Sequence, residues 1–389
     1  MFQFGYCERV LSIPVGEAMG GYSGRLGPSE GTHDELFARA VSFTLGNDTI
    51  VLCSVDVVGL SRKEIVDVKR QVEEVTGTPP DHILISATHT HSGPRVIDLF
   101  APRVPSSHLV YDAIRVALLG SLESTMPVIL KAGSVKIEGA GFNRRDWDPH
   151  SEVVDENAEV LGVYDQEGNL LTLLYNYGCH CVVLPPENPL YSEDWPFYAQ
   201  TEIAQQLNLE MLPIFFQGAA GNINPVGVPY SGGVKHTFED AQQLGQLIAR
   251  QILAGLDDLE ELPEIPPDGR IDTITIPADD PDKLEDFSFA TVEEEDGVPK
   301  VITEVQVLAL GRLLFFAVPG ELFGEWSIDL KQFALTRPAW VVGYANDYIG
   351  YVPTTDAFKA GGYEATMMGL SDKEGEQITS RLKDLATEL

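Results

Sequence analysis

The chain has 389 residues, 44% of them hydrophobic, and sets 59 acidic against 26 basic side chains for a formal net charge of −33 at pH 7. Nucleic acids and anionic membranes need a basic surface, so neither is an expected partner. No run approaches the roughly 18 uninterrupted apolar residues of a membrane helix, and the start Met1-Phe2-Gln3-Phe4-Gly5-Tyr6-Cys7-Glu8-Arg9 lacks the basic and apolar regions of a secretory leader, so a cytoplasmic protein is expected.

Strand-like apolar runs alternate with amphipathic helical stretches along the whole chain. Residues 49–58 read as a buried strand. Residues 61–75 follow as a helix, with Ser61 and Glu64 at capping-box spacing and Thr78-Pro79-Pro80 closing it. Next come a strand at 82–87, a helix at 108–121, strands at 128–137 and 170–177, and a helix at 196–207. A strand at 211–216 runs into the glycine-rich Gln217-Gly218-Ala219-Ala220-Gly221-Asn222, and a helix spans 240–256. The acidic, proline-rich stretch 256–270 reads as a surface linker. A strand at 271–276 precedes 278–300, whose Glu293-Glu294-Glu295-Asp296 run reads as a solvated loop or insertion. Strands around a Gly311-Arg312 turn fill 305–318, followed by a helix at 320–333, a strand at 339–344 and a closing helix at 371–385. There is no internal repeat.

Some strands follow one another with no helix between them, so the expected class is α/β with α+β-like mixed sheets and flanking helices. Apolar strands lie on both sides of the acidic linker and insertion at 256–300, which points to a single domain over 1–389. Nothing in the pattern sets an oligomeric state. Four cysteines, Cys7, Cys53, Cys179 and Cys181, are too few and too irregular for a disulfide framework. Cys179 and Cys181 flank His180, and strand alternation would turn them to the opposite face as packing residues.

Four segments, 88–95, 179–186, 217–226 and 344–355, share one layout, a buried strand running into a turn rich in Gly, Pro or Asn. Ligands gather outside the carboxyl ends of strands in open α/β sheets. The most informative of the four begins with Ser86-Ala87-Thr88-His89-Thr90-His91-Ser92-Gly93-Pro94. A catalytic zinc takes three or four N or O ligands and keeps a place for water, and neutral imidazole is its commonest protein ligand. His89 and His180 are the natural first two. Two ligands one residue apart would crowd a single ion unless the chain turns, so His89 and His91 are expected to divide the work, one on the metal and one as an oxyanion donor. Glu321 follows an apolar strand and opens a helix, where an acid is favourable in any case. Gly221-Asn222-Ile223-Asn224-Pro225 offers an anion cradle, though these are also ordinary turn formers. Tyr348, Tyr351 and Tyr363 lie close together in sequence, where aromatics usually pack. His82, His108, His150 and His236 look ordinary, and His33 alone is held in reserve.

The wider order of motifs is more specific. Met19-Gly20-Gly21-Tyr22 and Phe37-Ala38-Arg39-Ala40 lead to Ser54-Val55-Asp56, and the His-Thr-His-Ser-Gly-Pro segment follows. Then come Gly141-Phe142-Asn143-Arg144, His180 after Asn176-Tyr177, the turn at 217–225 and Pro319-Gly320-Glu321. Last is Ala345-Asn346-Asp347-Tyr348-Ile349-Gly350-Tyr351-Val352-Pro353-Thr354, with Tyr363-Glu364 beyond it. In this order the residues resemble the N-terminal catalytic domain of the neutral (non-lysosomal) ceramidase family. The resemblance implies an amidase dependent on one zinc ion, with His89, His180, Glu321 and Tyr351 as its ligands; Tyr351 is preferred over Tyr348 for its spacing to Tyr363. It sets His91, Arg144 and Tyr363 beside the metal as carbonyl-polarising and proton-handling groups, and Asn224 at the position of a serine important for activity. The implied chemistry is metal-assisted attack of water on an amide carbonyl, with a small-molecule N-acyl substrate and a place in sphingolipid metabolism.

The chain departs from that pattern in three ways. The family's Gly-Asp-x-Ser-Pro turn reads Gly221-Asn222-Ile223-Asn224-Pro225, so Asn224 cannot act as a nucleophile. The chain stops soon after the tyrosine motif, short of the family's immunoglobulin-like C-terminal domain, and shows no leader. A more soluble N-acyl substrate than a ceramide is therefore expected. The alternative is a non-catalytic, metal-containing binding protein on the same fold. A metallo-β-lactamase-type site would need H-x-H-x-D-H, which Ser92-Gly93-Pro94 breaks. A barrel amidohydrolase would need more histidines on later strands than a chain with eight supplies.

Overall fold

The computed structural model describes residues 1–389 except 26, 146–152, 229–235, 281–283, 285–287 and 296–297, with the backbone alone at 367–368. Two mixed sheets stack face to face. The larger runs in the order Ile214–Gln217, Leu170–Tyr177, Asn157–Tyr164, Thr125–Lys136, Phe2–Val10, Phe37–Leu45, Asp48–Val55, Ile83–Ala87. The smaller runs Asp268–Pro277, Val298–Leu310, Leu313–Ala317, Ala339–Val342, with Val292–Glu295 as a side arm. Parallel pairs occur in both, Asp48–Val55 with Ile83–Ala87 and Leu313–Ala317 with Ala339–Val342, among antiparallel neighbours.

Strand alternation explains the layering. Ile50 and Leu52 face one core with Leu161, Leu174 and Phe216, and the smaller sheet closes that core with Leu308, Phe315 and Trp340. Val51, Cys53 and Val55 face the other way, toward Ile65 and Val72 of the helix Arg62–Thr76 and Ile114 of the helix His108–Glu123. Further along, Val160, Tyr175 and Phe215 turn to the helices Trp195–Leu207 and Phe238–Ala254. On the far side of the smaller sheet, Val307, Phe316 and Val341 meet Leu330 and Leu382 from the helices Gly324–Ala334 and Glu374–Ala386. The result is four layers, helix–sheet–sheet–helix, and the mixed α/β expectation is met. Among the described residues no helix is long and apolar enough to cross a membrane.

The structure adds to the sequence reading in three places. The surface stretch 256–270 is fastened at one point: Glu260–Glu261 pairs with Thr125–Lys136, and Leu259 and Leu262 are buried. Within 278–300, Val292–Glu295 pairs with Val298–Leu310, setting Glu293 opposite Lys300. An acid run is compatible with a strand there because this arm lies at the sheet's edge, where charge discourages further pairing. Strands Phe2–Val10, Phe37–Leu45 and Asn157–Tyr164 escaped the element reading because charged or polar residues, Glu8, Arg39 and Asn157 among them, interrupt their apolar pattern.

Candidate metal centre

The histidine loop leaves the end of Ile83–Ala87 and turns at His89, whose φ of 61° is left-handed. That conformation is uncommon for a residue with a Cβ and needs support. His89 N–H donates to the Val57 carbonyl at 3.0 Å, and its Nδ1 lies 2.6 Å from the Val58 carbonyl. The turn removes the crowding expected of an extended segment and brings His91 Nε2 to 3.0 Å from His89 Nε2. His180 arrives from beyond Leu170–Tyr177, held by the Ile223 carbonyl at both its backbone N–H (3.1 Å) and its Nδ1 (3.2 Å). One ring nitrogen from each of His89, His91 and His180 lies within 4.8 Å of the others.

Glu321 completes the cluster from a different element than the sequence suggested. It stands on the two-residue strand Glu321–Leu322, paired in parallel with Tyr351–Val352 so that Glu321 sits opposite Tyr351; the helix starts only at Gly324. Its Oε2 is 3.0 Å from His180 Nε2 and 3.6 Å from His89 Nε2. Its Oε1 accepts the Tyr348 hydroxyl at 2.5 Å. Tyr348 is thus the tyrosine bonded to Glu321, while Tyr351 packs edge-on to Tyr363, ring centroids 5.9 Å apart.

Burial lowers His89 to about 4, and burial together with the neighbouring histidines holds His91 well below the ordinary imidazole value. Burial alone would raise Glu321, but His89, His180 and the Tyr348 hydroxyl outweigh it and bring the carboxyl down to about 2. At neutral pH His89 and His91 are therefore uncharged and Glu321 is ionised. The carbonyls at Nδ1 of His89 and His180 place a proton there and turn the Nε2 atoms toward each other and the carboxylate. His180 Nε2 and Glu321 Oε2 lie 3.0 Å apart, close enough to serve one cation together. The donor set, imidazole nitrogen with carboxylate oxygen, suits zinc.

The cluster lies at one side of a cavity of about 300 Å³ lined by His89, His91, Arg144, Asn224, Glu321, Tyr351 and Tyr363, with His180 buried behind them. Val58, Leu99, Val182, Val183, Pro185 and Pro186 give it apolar walls. Arg144 Nε donates to Glu364 Oε1 at 2.9 Å and Nη1 to Asn224 Oδ1 at 3.3 Å. Asn224 in turn donates to the Val228 carbonyl, so it braces Arg144 against the following loop. Asn222 lies outside the cavity's lining and docks the next helix, accepting from Gly324 N–H at 2.9 Å and donating to Glu325.

Several contributors escaped the sequence reading. His236 lines the cavity. Tyr344, stacked on His89 at 4.0 Å, also has a left-handed backbone, φ 53°. A Cβ on Gly21 would come within 2.5 Å of the His91 ring, so only glycine fits that approach. Arg25 donates to the His91 carbonyl at 2.6 Å. The one available signal was position, since Gly21 and Glu364 both stand inside motifs singled out in the sequence. His33 is off the site; it bonds Asp34 and stacks on Phe238. His150 lies outside the described residues. Cys179 and Cys181 are free, buried packing residues, as alternation around His180 implied.

No family profile matches the chain. Its fold is similar to that of the neutral ceramidase from Pseudomonas aeruginosa, with a TM-score of 0.84 at 18% identity over 99% of this chain and 74% of that one. A ceramidase complexed with C2 gives 0.81 at the same identity and coverage. In sequence, neutral ceramidase A of Dictyostelium discoideum is 24% identical over 226 residues, 50% of this chain, and neutral ceramidase B of the same organism 26% over 210 residues, 48% of this chain. The matched stretches span 32% and 29% of those two proteins.

Proposed function

Because this chain carries a neutral ceramidase-like domain, we propose that it is a zinc-dependent hydrolase of an amide (N-acyl) bond. The observation that carries the reading is the convergence of His89, His91, His180 and Glu321, imidazole nitrogens beside a carboxylate, on one cavity with apolar walls. His89, His180, Glu321 and Tyr351 would hold the ion; when bound, it supplies Lewis-acid polarisation of the amide carbonyl and lowers the pKa of water to about 7.

The protein's own groups supply the rest. Tyr348 fixes one oxygen of Glu321 and leaves the other toward the histidines. His91 lines the cavity beside His89, its Nε2 3.0 Å from His89 Nε2, and is the imidazole placed to take up a proton and return it to the departing amine. Arg144 and Tyr363 are the donors for the carbonyl oxygen as it gains charge. The apolar walls exclude water and receive the acyl group. Asn224 occupies its place as a brace rather than a nucleophile, which fits a reaction driven by water. The substrate proposed is an N-acyl small molecule, ceramide-like or more soluble.

The test is hydrolysis of a series of N-acyl substrates, from short-chain ceramides to N-acyl sugars and amino acids, before and after chelation. The expected result is release of free amine from at least one substrate, abolished by chelation and restored by zinc. A zinc-loaded protein that cleaves none of them would instead be a binding module on the same fold.

A further inference from the structure

Behind the cavity lies a fully buried carboxylate that the proposed chemistry does not use. Glu364 is 0% exposed, and its two oxygens serve two consecutive arginines. Arg144 Nε donates to Oε1 at 2.9 Å and Arg145 Nη1 to Oε2 at 2.8 Å. Neighbouring residues on a strand point to opposite faces, so the chain must bend for both to reach one carboxylate. The bend is visible after the strand Gly141–Asn143, where Asn143 Oδ1 accepts the Arg145 N–H at 3.1 Å. Arg145, 2% exposed, also donates through Nη2 to the carbonyls of Ala357 and Gly361 at 3.1 and 3.0 Å. It ties the end of the helix Thr355–Ala360 to the turn that carries Tyr363 and Glu364. Only Arg144 of the two reaches the cavity, its guanidinium carbon 5.4 Å from the Tyr351 ring centre.

We infer that Glu364 is a positioning residue, aiming the Arg144 guanidinium at the substrate carbonyl, with Arg145 as the second cation that locks its carboxylate in place. A buried carboxylate held by two guanidiniums has little freedom to rotate, and it fixes the plane of Arg144 through Nε. Asn224 fixes the opposite edge of that guanidinium at Nη1. The inference rests on the amide-hydrolase reading for its effect on rate and on geometry alone for the orientation.

Removing Glu364 by itself leaves two buried arginines without their shared anion and risks the fold. The informative variant is therefore the double substitution Glu364→Met with Arg145→Met, which removes one charge of each sign and the acceptor of Arg144 Nε, beside Arg144→Ala as reference. With rates expressed per bound zinc, the double variant should lower kcat by about tenfold or more with a smaller change in KM. The NMR signal of the Arg144 Nε–H, identified by its loss in Arg144→Lys, should lose its slow exchange with solvent in the double variant. A protected Arg144 Nε–H in the double variant overturns the inference whatever the activity. So does wild-type kcat in the double variant when Arg144→Ala is impaired. If Arg144→Ala keeps full activity, the role given to Arg144 in catalysis fails, and the NMR result alone decides the positioning claim.

Discussion

Two buried polar clusters lie near each other in this fold, and they are built on opposite principles. One joins Arg39, Asp56 and Glu193, each no more than 4% exposed. Arg39 pairs with Asp56 at 3.2 Å and Glu193 at 2.7 Å, Gln200 donates to the other Glu193 oxygen at 2.7 Å, and Phe37 N–H binds Asp56. Nearby, Asp34 takes the Ser192 hydroxyl and the Glu193 N–H. The other cluster, His89, His91, His180 and Glu321, gathers imidazole nitrogens and a carboxylate around one point at the cavity wall. Opposite charges that close on one another hold segments together; metal-type donor atoms gathered open to a cavity make a binding site. Burial alone does not separate the two cases. The pairing does.

The largest expected effect comes from breaking the closed cluster without touching the open one. Arg39→Met leaves Asp56 and Glu193 buried with no cation and should cost about 3–5 kcal/mol in denaturant unfolding, while the zinc content of the remaining folded protein stays at the wild-type level. Loss of zinc binding in stably folded Arg39→Met would mean that the two clusters act as one.

A comparable effect, spread over pH, is expected from Asp194, on the same segment as Glu193. Burial raises its carboxyl to about 7 despite the N–H groups of Leu184, Trp195 and Val183 that bind it. An unfolded aspartic acid titrates near 3.9, so between those values the folded chain holds more protons than the unfolded one. Stability attributable to Asp194 therefore falls as pH rises from about 4 to about 7, by up to about 1.4 kcal/mol per pH unit, and levels off above that. Asp194→Asn should flatten this part of the curve of unfolding free energy against pH. An unchanged slope would remove Asp194 from the account.

The parts of this architecture legible in sequence were those with periodicity or an unusual residue pair. Helices such as Arg62–Thr76 and buried strands such as Ile83–Ala87 follow from spacing. The His-Thr-His segment stood out through its place at a strand end, and motif order supplied Glu321, Tyr351 and Tyr363. What stayed hidden depends on contacts between distant segments. The two-residue pairing that sets Glu321 beside Tyr351 is too short to leave a period, so Glu321 read as a helix start. The left-handed turn at His89 has no glycine to announce it; one backbone bond to Val57 and the Nδ1 contact to the Val58 carbonyl hold it there. The bond from Tyr348 to Glu321 and the convergence of Arg144 and Arg145 on Glu364 exist only once the sheets are stacked.

The central claim is that the open cluster is a metal site, and metal stoichiometry tests it most directly. Elemental analysis of the purified full chain should give one zinc per molecule in the wild type, with most of it lost in folded His89→Ala and Glu321→Ala. A wild type without stoichiometric metal after incubation with zinc, or variants that keep it undiminished, would contradict the account.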